Sequence, residues 1–390
     1  MKGLLLFSIF TIIYGSLFPF EFQYINWETE GQDILLSTAF FGGKLGDSLG
    51  NVFLFIPFGF AGSGLILRHN INKKFYLCLY GLGFVLAVAI QAAQVYLPAR
   101  VPALHDAIWN LVGIFAGDFL VRLLKSKYPG LLKSDQRLAL LALLSCWIIF
   151  LLVPFIFSYD VEEMRKNFEY HLDINQYRFA NILLFTFLWV TYASLIEEIL
   201  PNRKSVLFSL EFAVIFTTIA KVFVYRNDIE AELFLCGIIA IILTRSGIFK
   251  KLPPYKFTAL ILVFTMFYNS LYPFEFYDNP FKEFKWIPFS ELFSDDMLAV
   301  VRTVFYKTFV YGAIVWNLYK GFPNLKYVTL FCMIYASAIE YFQYKTLMRV
   351  GGLTEPLMVL FLCSFIEQKN TAAKRIKNES KASSNTYGTR

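Results

Sequence analysis

The sequence predicts an all-α, polytopic integral membrane protein with about twelve transmembrane helices. The chain of 390 residues is 57% hydrophobic and 19% aromatic but only 17% charged, whereas soluble domains carry about 25% charged residues. Its apolar residues occur in runs of about 20, the length that an α-helix needs to cross the hydrocarbon core of a bilayer. A nonapeptide that occurs twice, at 14–22 and 268–276, predicts in addition that the protein contains two related membrane modules.

Twelve apolar segments between charged residues, prolines and glycines are predicted to form the spanning helices. The first follows Lys2 and ends in aromatic residues, Pro19 and Glu21 rather than in the small residues of a signal-peptide cleavage site. We therefore interpret it as the first spanning helix. The predicted segments are 3–20, 50–67, 75–97, 104–124, 137–158, 178–200, 205–224, 229–249, 256–273, 299–319, 325–344 and 353–368.

The charges of the loops predict the orientation of these helices. Lys and Arg cluster in alternate loops and in the tail at 369–390, which predicts that these loops, both termini and the basic, disordered tail are cytoplasmic. The intervening loops, at 21–47, 160–173, 228–232 and 275–296, are acidic or mixed. We therefore attribute the net charge of +7 to basic residues that determine the membrane topology, and not to a groove that binds nucleic acid. We expect a plasma (cytoplasmic) membrane protein whose partner is the lipid bilayer.

The two nonapeptides, YGSLFPFEF and YNSLYPFEF, are identical at seven of nine positions. Each follows an apolar run and is predicted to end at the extracytoplasmic surface, after the first and the ninth helix. Eight helices separate the two positions, so the modules share one orientation and form parallel rather than inverted repeats. The predicted organisation is a membrane module at 1–125, a four-helix insert at 126–255 and a second module at 256–368.

Four motifs follow one another in the first module. They are NVFLFIPFG at 51–59, Q-x-x-Q at 91–94, P-x-R at 98–100 and D-x-x-x-N-x-x-G-x-x-x-G at 106–117. Their order and spacing resemble those of the VanZ-like family, in which the position of Gln91 is usually Glu. The resemblance covers residues 10–122 and implies a membrane protein of the bacterial cell envelope.

The second module resembles the same family less fully. Glu340 and Gln343 form an E-x-x-Q motif, Arg349 follows six residues later, and Glu355 stands where the first module has Asp106. The Asn and both Gly positions of the first module are replaced by Val359, Leu362 and Ile366. This module therefore resembles a divergent VanZ-like copy.

The candidate ligand-binding residues are polar side chains predicted near the extracytoplasmic ends of both modules, since polar groups at membrane depth are costly and often functional. In the first module Gly113 and Gly117 predict close packing of the third helix on the fourth, which would bring the polar side chains together. The structural alternative stays open: Asp106 caps the fourth helix and the glycines serve packing alone. The candidates are Glu21, Gln91, Gln94, Arg100, Asp106, Asn110, Glu275, Gln343, Arg349 and Glu355.

The sequence offers few signs of catalysis. It contains no nucleophile elbow, phosphate loop, metal-binding helix or dinucleotide fingerprint, and its five cysteines and three histidines lack the spacing of metal ligands. We therefore predict no cofactor and no metal site. If the protein is an enzyme, Asp106 and Glu340 are the candidate general acids or bases, and Arg302 or Lys307 is the expected partner of Glu340.

Three functions are compatible with these features. Members that resemble the family's namesake are associated with tolerance of lipophilic glycopeptide antibiotics. The resemblance thus implies binding of an amphiphilic or lipid-linked envelope molecule, or of such an antibiotic, with Arg100 and Arg349 facing an anionic headgroup. The first alternative is a membrane enzyme that modifies a lipid-linked envelope precursor. The second is a transporter, which twelve spans and two related modules also suggest.

Overall fold

The computed structural model of the protein describes most of the chain, and it is helical almost throughout. In the described residues, the extended pairings are isolated bridges between Phe276 and Thr346 and between Lys285 and Gly352. The described residues are 1–17, 20–26, 45–98, 102–128, 134–153, 161–200, 202–223, 232–248, 254–278, 282–290, 297–322, 324–347 and 349–364.

In the ranges just given, the structure places a helix in each of the twelve predicted segments, and it adds an α-helix, α6, and a 3-10 turn at Ile174–Gln176. Numbered in chain order, the helices are α1 (Lys2–Leu17), α2 (Leu45–Arg68), α3 (Lys74–Gln94), α4 (Leu104–Lys127), α5 (Asp135–Leu152), α6 (Val161–Leu172), α7 (Phe179–Glu197), α8 (Arg203–Phe223), α9 (Leu233–Ser246), α10 (Pro254–Leu271), α11 (Met297–Gly321), α12 (Leu325–Tyr344) and α13 (Thr354–Ser364).

Helix α6 lies where the sequence predicted a loop, and that prediction was wrong. The segment is too polar to cross a membrane, but it carries charges at helical spacing. Lys166 contacts Glu162 at 2.9 Å and Arg165 contacts Glu169 at 3.2 Å, both one turn apart, and such pairs each stabilise a helix slightly. A short polar helix therefore precedes α7.

Six of the described helices are long and apolar enough to cross a membrane: α2 (from Gly50), α3, α4, α7, α8 and α12. Shorter apolar helices occur at Leu4–Leu17, Arg137–Leu152, Leu233–Ser246 and Thr354–Ser364. Large apolar side chains are exposed along these helices, as in the stacked rings of Phe208, Phe212 and Phe216 on α8. Such surfaces are suited to lipid. The chain is thus a membrane protein, while the number of twelve spans and their orientation stay predictions.

Residues 1–135 and 293–301 form one of two compact units. Its core contains Ile12, Phe55 and Ile114, each fully buried. Helices α2 and α4 approach so closely that a Cβ atom on Gly117 would lie 2.3 Å from the carbonyl oxygen of Ile56.

The other glycines at this contact are equally confined. A Cβ atom on Gly113 would lie 2.3 Å from the carbonyl oxygen of Val52, and one on Gly59 would lie 2.2 Å from that of Ile114. The glycines do serve close helix packing, as predicted. However, these glycines pack α4 on α2, so the prediction that they face the third helix was wrong; α3 contacts α4 through other residues.

Residues 136–292 and 302–390 form the other unit. Trp147 of α5 lies at its centre, stacked on Phe309 of α11 at 4.9 Å and edge-on to Trp189 of α7 at 5.5 Å between ring centroids. Side chains of α5 and α7–α13 share this core. The helices of the insert therefore pack together with those of the second module, and the division into three modules stays a prediction.

Candidate functional site

The described residues of the two nonapeptides have similar local geometry at the ends of α1 and α10. Phe20 and Phe274 both have a φ of 65°, a conformation that non-glycine residues adopt infrequently. The amide of each donates a hydrogen bond to the carbonyl three residues earlier, at 2.9 and 2.7 Å. Tyr14 packs edge-on against Phe20 at 5.5 Å, and Tyr268 against Phe274 at 5.4 Å. The sequence identity between the copies is thus matched by similar geometry of the residues that the structure describes in both.

A glutamine at the end of α3 or α12 contacts the nonapeptide of the same unit. The Nε2 of Gln94 donates to the carbonyl oxygen of Ser16 at 2.9 Å, and that of Gln343 donates to Ser270 at 3.3 Å. The two serines occupy the same position of the nonapeptide. Each glutamine therefore fixes the end of α3 or α12 to the end of α1 or α10.

The segments after the nonapeptides are also held alike. The amide of Gln23 donates to the carbonyl of Tyr96 at 2.8 Å, and the amide of Tyr277 donates to that of Lys345 at 2.9 Å. Each acceptor lies two residues after the glutamine that contacts the serine. Side-chain and main-chain hydrogen bonds thus form the same local arrangement in both places.

Gln91 and Glu340 hold the connection to the following helix. The amide of Ala103 donates to Oε1 of Gln91 at 2.8 Å, and the amide of Gly352 donates to Oε2 of Glu340 at 2.7 Å. Both acceptor residues are buried, and in both cases the donor lies 12 residues later. An amide and a carboxylate therefore perform the same structural task at equivalent positions.

This equivalence predicts the effect of exchanging the two side chains. Glu340→Gln should keep the hydrogen bond to Gly352 and leave the thermal stability in detergent nearly unchanged. Glu340→Leu should lower the free energy of unfolding by about 1–3 kcal/mol, because it leaves a buried amide without an acceptor. The same contrast is expected for Gln91→Glu and Gln91→Leu. If Glu340→Gln were as destabilising as Glu340→Leu, the carboxylate itself would be required and this role would be wrong.

Glu355 at the start of α13 is the centre of the most strongly charged cluster. It is fully buried, its Oε1 lies 2.7 Å from Nζ of Lys307, and its Oε2 accepts a hydrogen bond from the hydroxyl of Tyr311. The prediction that Lys307 pairs with Glu340 was therefore wrong: α11 directs this lysine to Glu355. The sequence analysis missed Tyr311, although its position one turn after Lys307 places both residues on one face of a helix.

Arg349 adds a second cation to this cluster, in the connection between α12 and α13. Its Nη2 donates to the carbonyl oxygen of Asn269 at 2.8 Å. Desolvation lowers the pKa of the guanidinium, while the negative charge of Glu355 raises it. Two cations therefore lie within electrostatic reach of one buried carboxylate. We call Lys307, Tyr311, Arg349 and Glu355 the α13 cluster.

The corresponding part of the first module is built around the start of α4. Asp106 lies in the first turn, where an acidic group is favoured by the helix dipole, and its Oδ1 is 3.4 Å from Nε2 of His105. The helix cap is Ala103, without a side-chain hydrogen bond, so the prediction that Asp106 caps the helix was wrong. Asn110 is 1% exposed, and its Oδ1 has no hydrogen bond within the described part of the chain. Arg100 lies outside the described residues.

These features coincide with a known family. Residues 4–125 match the family model described as VanZ/LLP1. The N-terminal module is a VanZ-like domain. The comparisons with curated proteins and with solved structures found no match to this chain.

Other polar residues of the VanZ-like domain stabilise its helices. Asp118 on α4 contacts Arg122 at 2.8 Å, as its spacing of one turn predicts, and accepts a hydrogen bond from the hydroxyl of Tyr80 at 2.6 Å. The guanidinium of Arg122 lies over the ring of Tyr76 at 4.3 Å. These contacts join α3 to α4 and occupy the charged groups, so this cluster is structural.

The structure does not bring every candidate into a cluster. Glu21 and Glu275 follow the positive-φ phenylalanines and are exposed, and no contact with the other candidates is found in the described ranges. Groups of three or more His, Cys, Asp or Glu side chains with metal-binding geometry are also absent from those ranges. The two units therefore each hold a candidate site of their own: the α13 cluster in one, and Asp106 with Asn110 of the VanZ-like domain in the other.

Proposed function

We propose that the protein binds an amphiphilic or lipid-linked molecule of the bacterial cell envelope, or a lipophilic glycopeptide-type antibiotic, at its extracytoplasmic face. The α13 cluster carries this proposal. Lys307 contacts the carboxylate of Glu355 and the guanidinium of Arg349 lies within electrostatic reach of it, so Arg349 is the cation that we assign to an anionic group of the ligand. Phosphate and carboxylate groups suit a guanidinium, which donates two parallel hydrogen bonds to them.

The proposal includes a second VanZ-like module at 256–368, diverged from the first. Its support is the set of equivalent hydrogen bonds made by Gln94 and Gln343 and by Gln91 and Glu340. In this view Arg349 corresponds to Arg100, so each module contributes one guanidinium. The fully buried Val359 replaces Asn110, which indicates that the two modules divided their polar residues during divergence.

The partners of the buried carboxylates favour binding over catalysis. Glu340 accepts a hydrogen bond that the amide of Gln91 accepts equally well in the other module. Glu355 is neutralised by Lys307. A general acid must donate a proton to the ligand and a general base must accept one from it, whereas these groups are engaged by the protein itself.

A membrane enzyme that modifies a lipid-linked precursor is the second candidate, because Asp106 lies beside His105. A carboxylate next to an imidazole is a common arrangement in acid–base catalysis. Under this alternative Asp106→Asn abolishes turnover of the lipid, and a strain that lacks the gene accumulates or loses an envelope lipid. Under the binding proposal the lipid extract of that strain is unchanged.

The binding proposal predicts that Arg349→Gln weakens the affinity for an anionic amphiphile about tenfold or more, the value of a charge-assisted hydrogen bond. The assay is titration of the purified full chain in nanodiscs with a polyprenyl pyrophosphate and, separately, with a lipidated glycopeptide. Lys326→Gln is the matched control, since it removes a positive charge at the other end of α12. Equal affinities of wild type and Arg349→Gln for both probes would contradict the proposal.

A further inference from the structure

A cavity of about 250 Å³ lies among α7, α8, α9, α10 and α11, outside the part of the chain that the family model matches. This volume has room for about eight water molecules at liquid density. Val190, Ala193 and Val206 form an apolar part of the wall. The cavity belongs to none of the clusters described above and is absent from the VanZ-like domain.

Several polar groups of the wall lack partners within the described part of the chain. Thr258 is 2% exposed, yet its hydroxyl makes no hydrogen bond there. The carboxylate of Glu197 makes no ion pair there. Arg203 donates one hydrogen bond, to the carbonyl oxygen of Thr244 at 3.1 Å, and its guanidinium contacts no described carboxylate. The hydroxyl of Thr258 and the exposed side chains of Glu197 and Arg203 are therefore available to a ligand that enters the cavity.

Two other acidic residues in the described ranges, one just after α7 and one on α8, form ion pairs, unlike Glu197 of the cavity wall. Glu198, next to Glu197 in the chain, pairs with Lys320. Glu211 on α8 pairs with Arg245 at 2.6 Å. Glu198 and Glu211 are thus paired with cations, whereas the exposed side chains of Glu197 and Arg203 in the wall make no ion pair within the described part of the chain.

The cavity lies at the ends of helices. Helix α7 ends at Glu197 and α8 begins at Arg203, while α9 ends at Ser246 and α10 begins at Pro254. Because α7 and α8 are long enough to span a bilayer, their ends lie at the depth of the lipid headgroups. Tyr255, another wall residue, is of a type enriched at that depth. Ligands that reach this position therefore include headgroups of the surrounding lipid.

We infer that this cavity binds a zwitterion that carries a phosphate and a primary amine. Arg203 and the hydroxyl of Thr258 donate to the phosphate oxygens, and the carboxylate of Glu197 accepts from the ammonium group. The apolar wall contacts the carbon atoms between them. The headgroup of phosphatidylethanolamine and free phosphoethanolamine share this chemistry, and the lipid is the source that lies next to the cavity.

The test is a titration of the purified full chain in detergent micelles, followed by native mass spectrometry and thermal unfolding. Phosphatidylethanolamine should bind about tenfold more tightly than phosphatidylglycerol, which has the phosphate but no amine. Arg203→Gln should weaken the binding of both lipids about tenfold. Glu197→Gln should remove the preference between them, because it affects only the amine. Lys204→Gln, which removes an adjacent exposed charge outside the wall, should change neither.

Free phosphoethanolamine distinguishes the two sources. Competition by the free compound at millimolar concentration supports recognition of the headgroup alone, whereas binding of the intact lipid without such competition supports a site that also uses the acyl chains. Equal affinity of the wild type for phosphatidylethanolamine and phosphatidylglycerol would overturn the inference. Unchanged phosphatidylethanolamine binding by both Arg203→Gln and Glu197→Gln, at unchanged melting temperature, would overturn it as well.

Discussion

Replacing Lys307 by Met is expected to lower the free energy of unfolding by about 3–5 kcal/mol, the usual cost of removing one partner of a buried ion pair. The Glu355 carboxylate has no exposed surface and lies 2.7 Å from Nζ of Lys307. Without the lysine it must remain charged in a poorly solvated site or take up a proton. The hydrogen bond from Tyr311 offsets only part of this cost. Denaturant unfolding of the full chain in micelles measures the effect.

The matched double variant shows whether the loss comes from the unpaired charge. Lys307→Met combined with Glu355→Gln removes both charges of the pair and should recover more than half of the stability lost by Lys307→Met alone, because the carboxylate that the lysine compensates is removed as well. Lys326→Met removes a lysine at an exposed helix start and should have little effect. Equal stabilities of the single and double variants would show that Lys307 contributes through packing and not through its charge.

Adding one methyl group at Gly117 is expected to destabilise the VanZ-like domain by about 1–3 kcal/mol. A Cβ atom there would lie 2.3 Å from the carbonyl oxygen of Ile56 and 2.5 Å from the amide nitrogen of Phe60. Both atoms belong to the backbone of α2, so no side chain can rotate away and the two helices must separate. The melting temperature of Gly117→Ala, measured by thermal unfolding in micelles, should therefore fall.

Gly81→Ala is the control for this variant. Gly81 lies on α3 of the same unit, and a Cβ atom there would meet nothing within 4 Å. Because Ala favours a helix over Gly by about 1 kcal/mol, this variant should be neutral or slightly stabilising. If Gly81→Ala and Gly117→Ala shifted the melting temperature equally, the close contact of α2 and α4 would not be the cause.

Features that depend on residues near one another in the chain could be predicted from the sequence. The twelve apolar segments coincide with helices, because the tendency to form an apolar helix depends on consecutive residues. The Asp118–Arg122 contact follows from a spacing of one turn. Helix α6 also depends on neighbouring residues, but its signal is the charged pairs one turn apart and not the hydropathy that marks a spanning helix.

The partners of the candidate residues could be predicted less well. Lys307 has two carboxylates, Glu340 and Glu355, as candidate partners, and spacing along the chain does not decide between them. Lys307 pairs with Glu355, while Glu340 accepts from the amide of Gly352. The wall of the cavity at Arg203 was also beyond prediction, because it brings together the ends of four helices with no motif in common.

The sequence by itself determined the membrane class of the protein, the positions of its apolar helices and the VanZ-like domain at its N-terminus. It also determined that the two nonapeptides correspond to each other in sequence. Each of these rests on the order or composition of neighbouring residues. Only the tertiary structure decided that α4 packs on α2, that Gln91 and Glu340 perform one task, and that Glu355 is the buried charge at the site. The reason is physical: a glycine permits close approach to any helix, and a buried carboxylate pairs with whichever cation the packing places beside it.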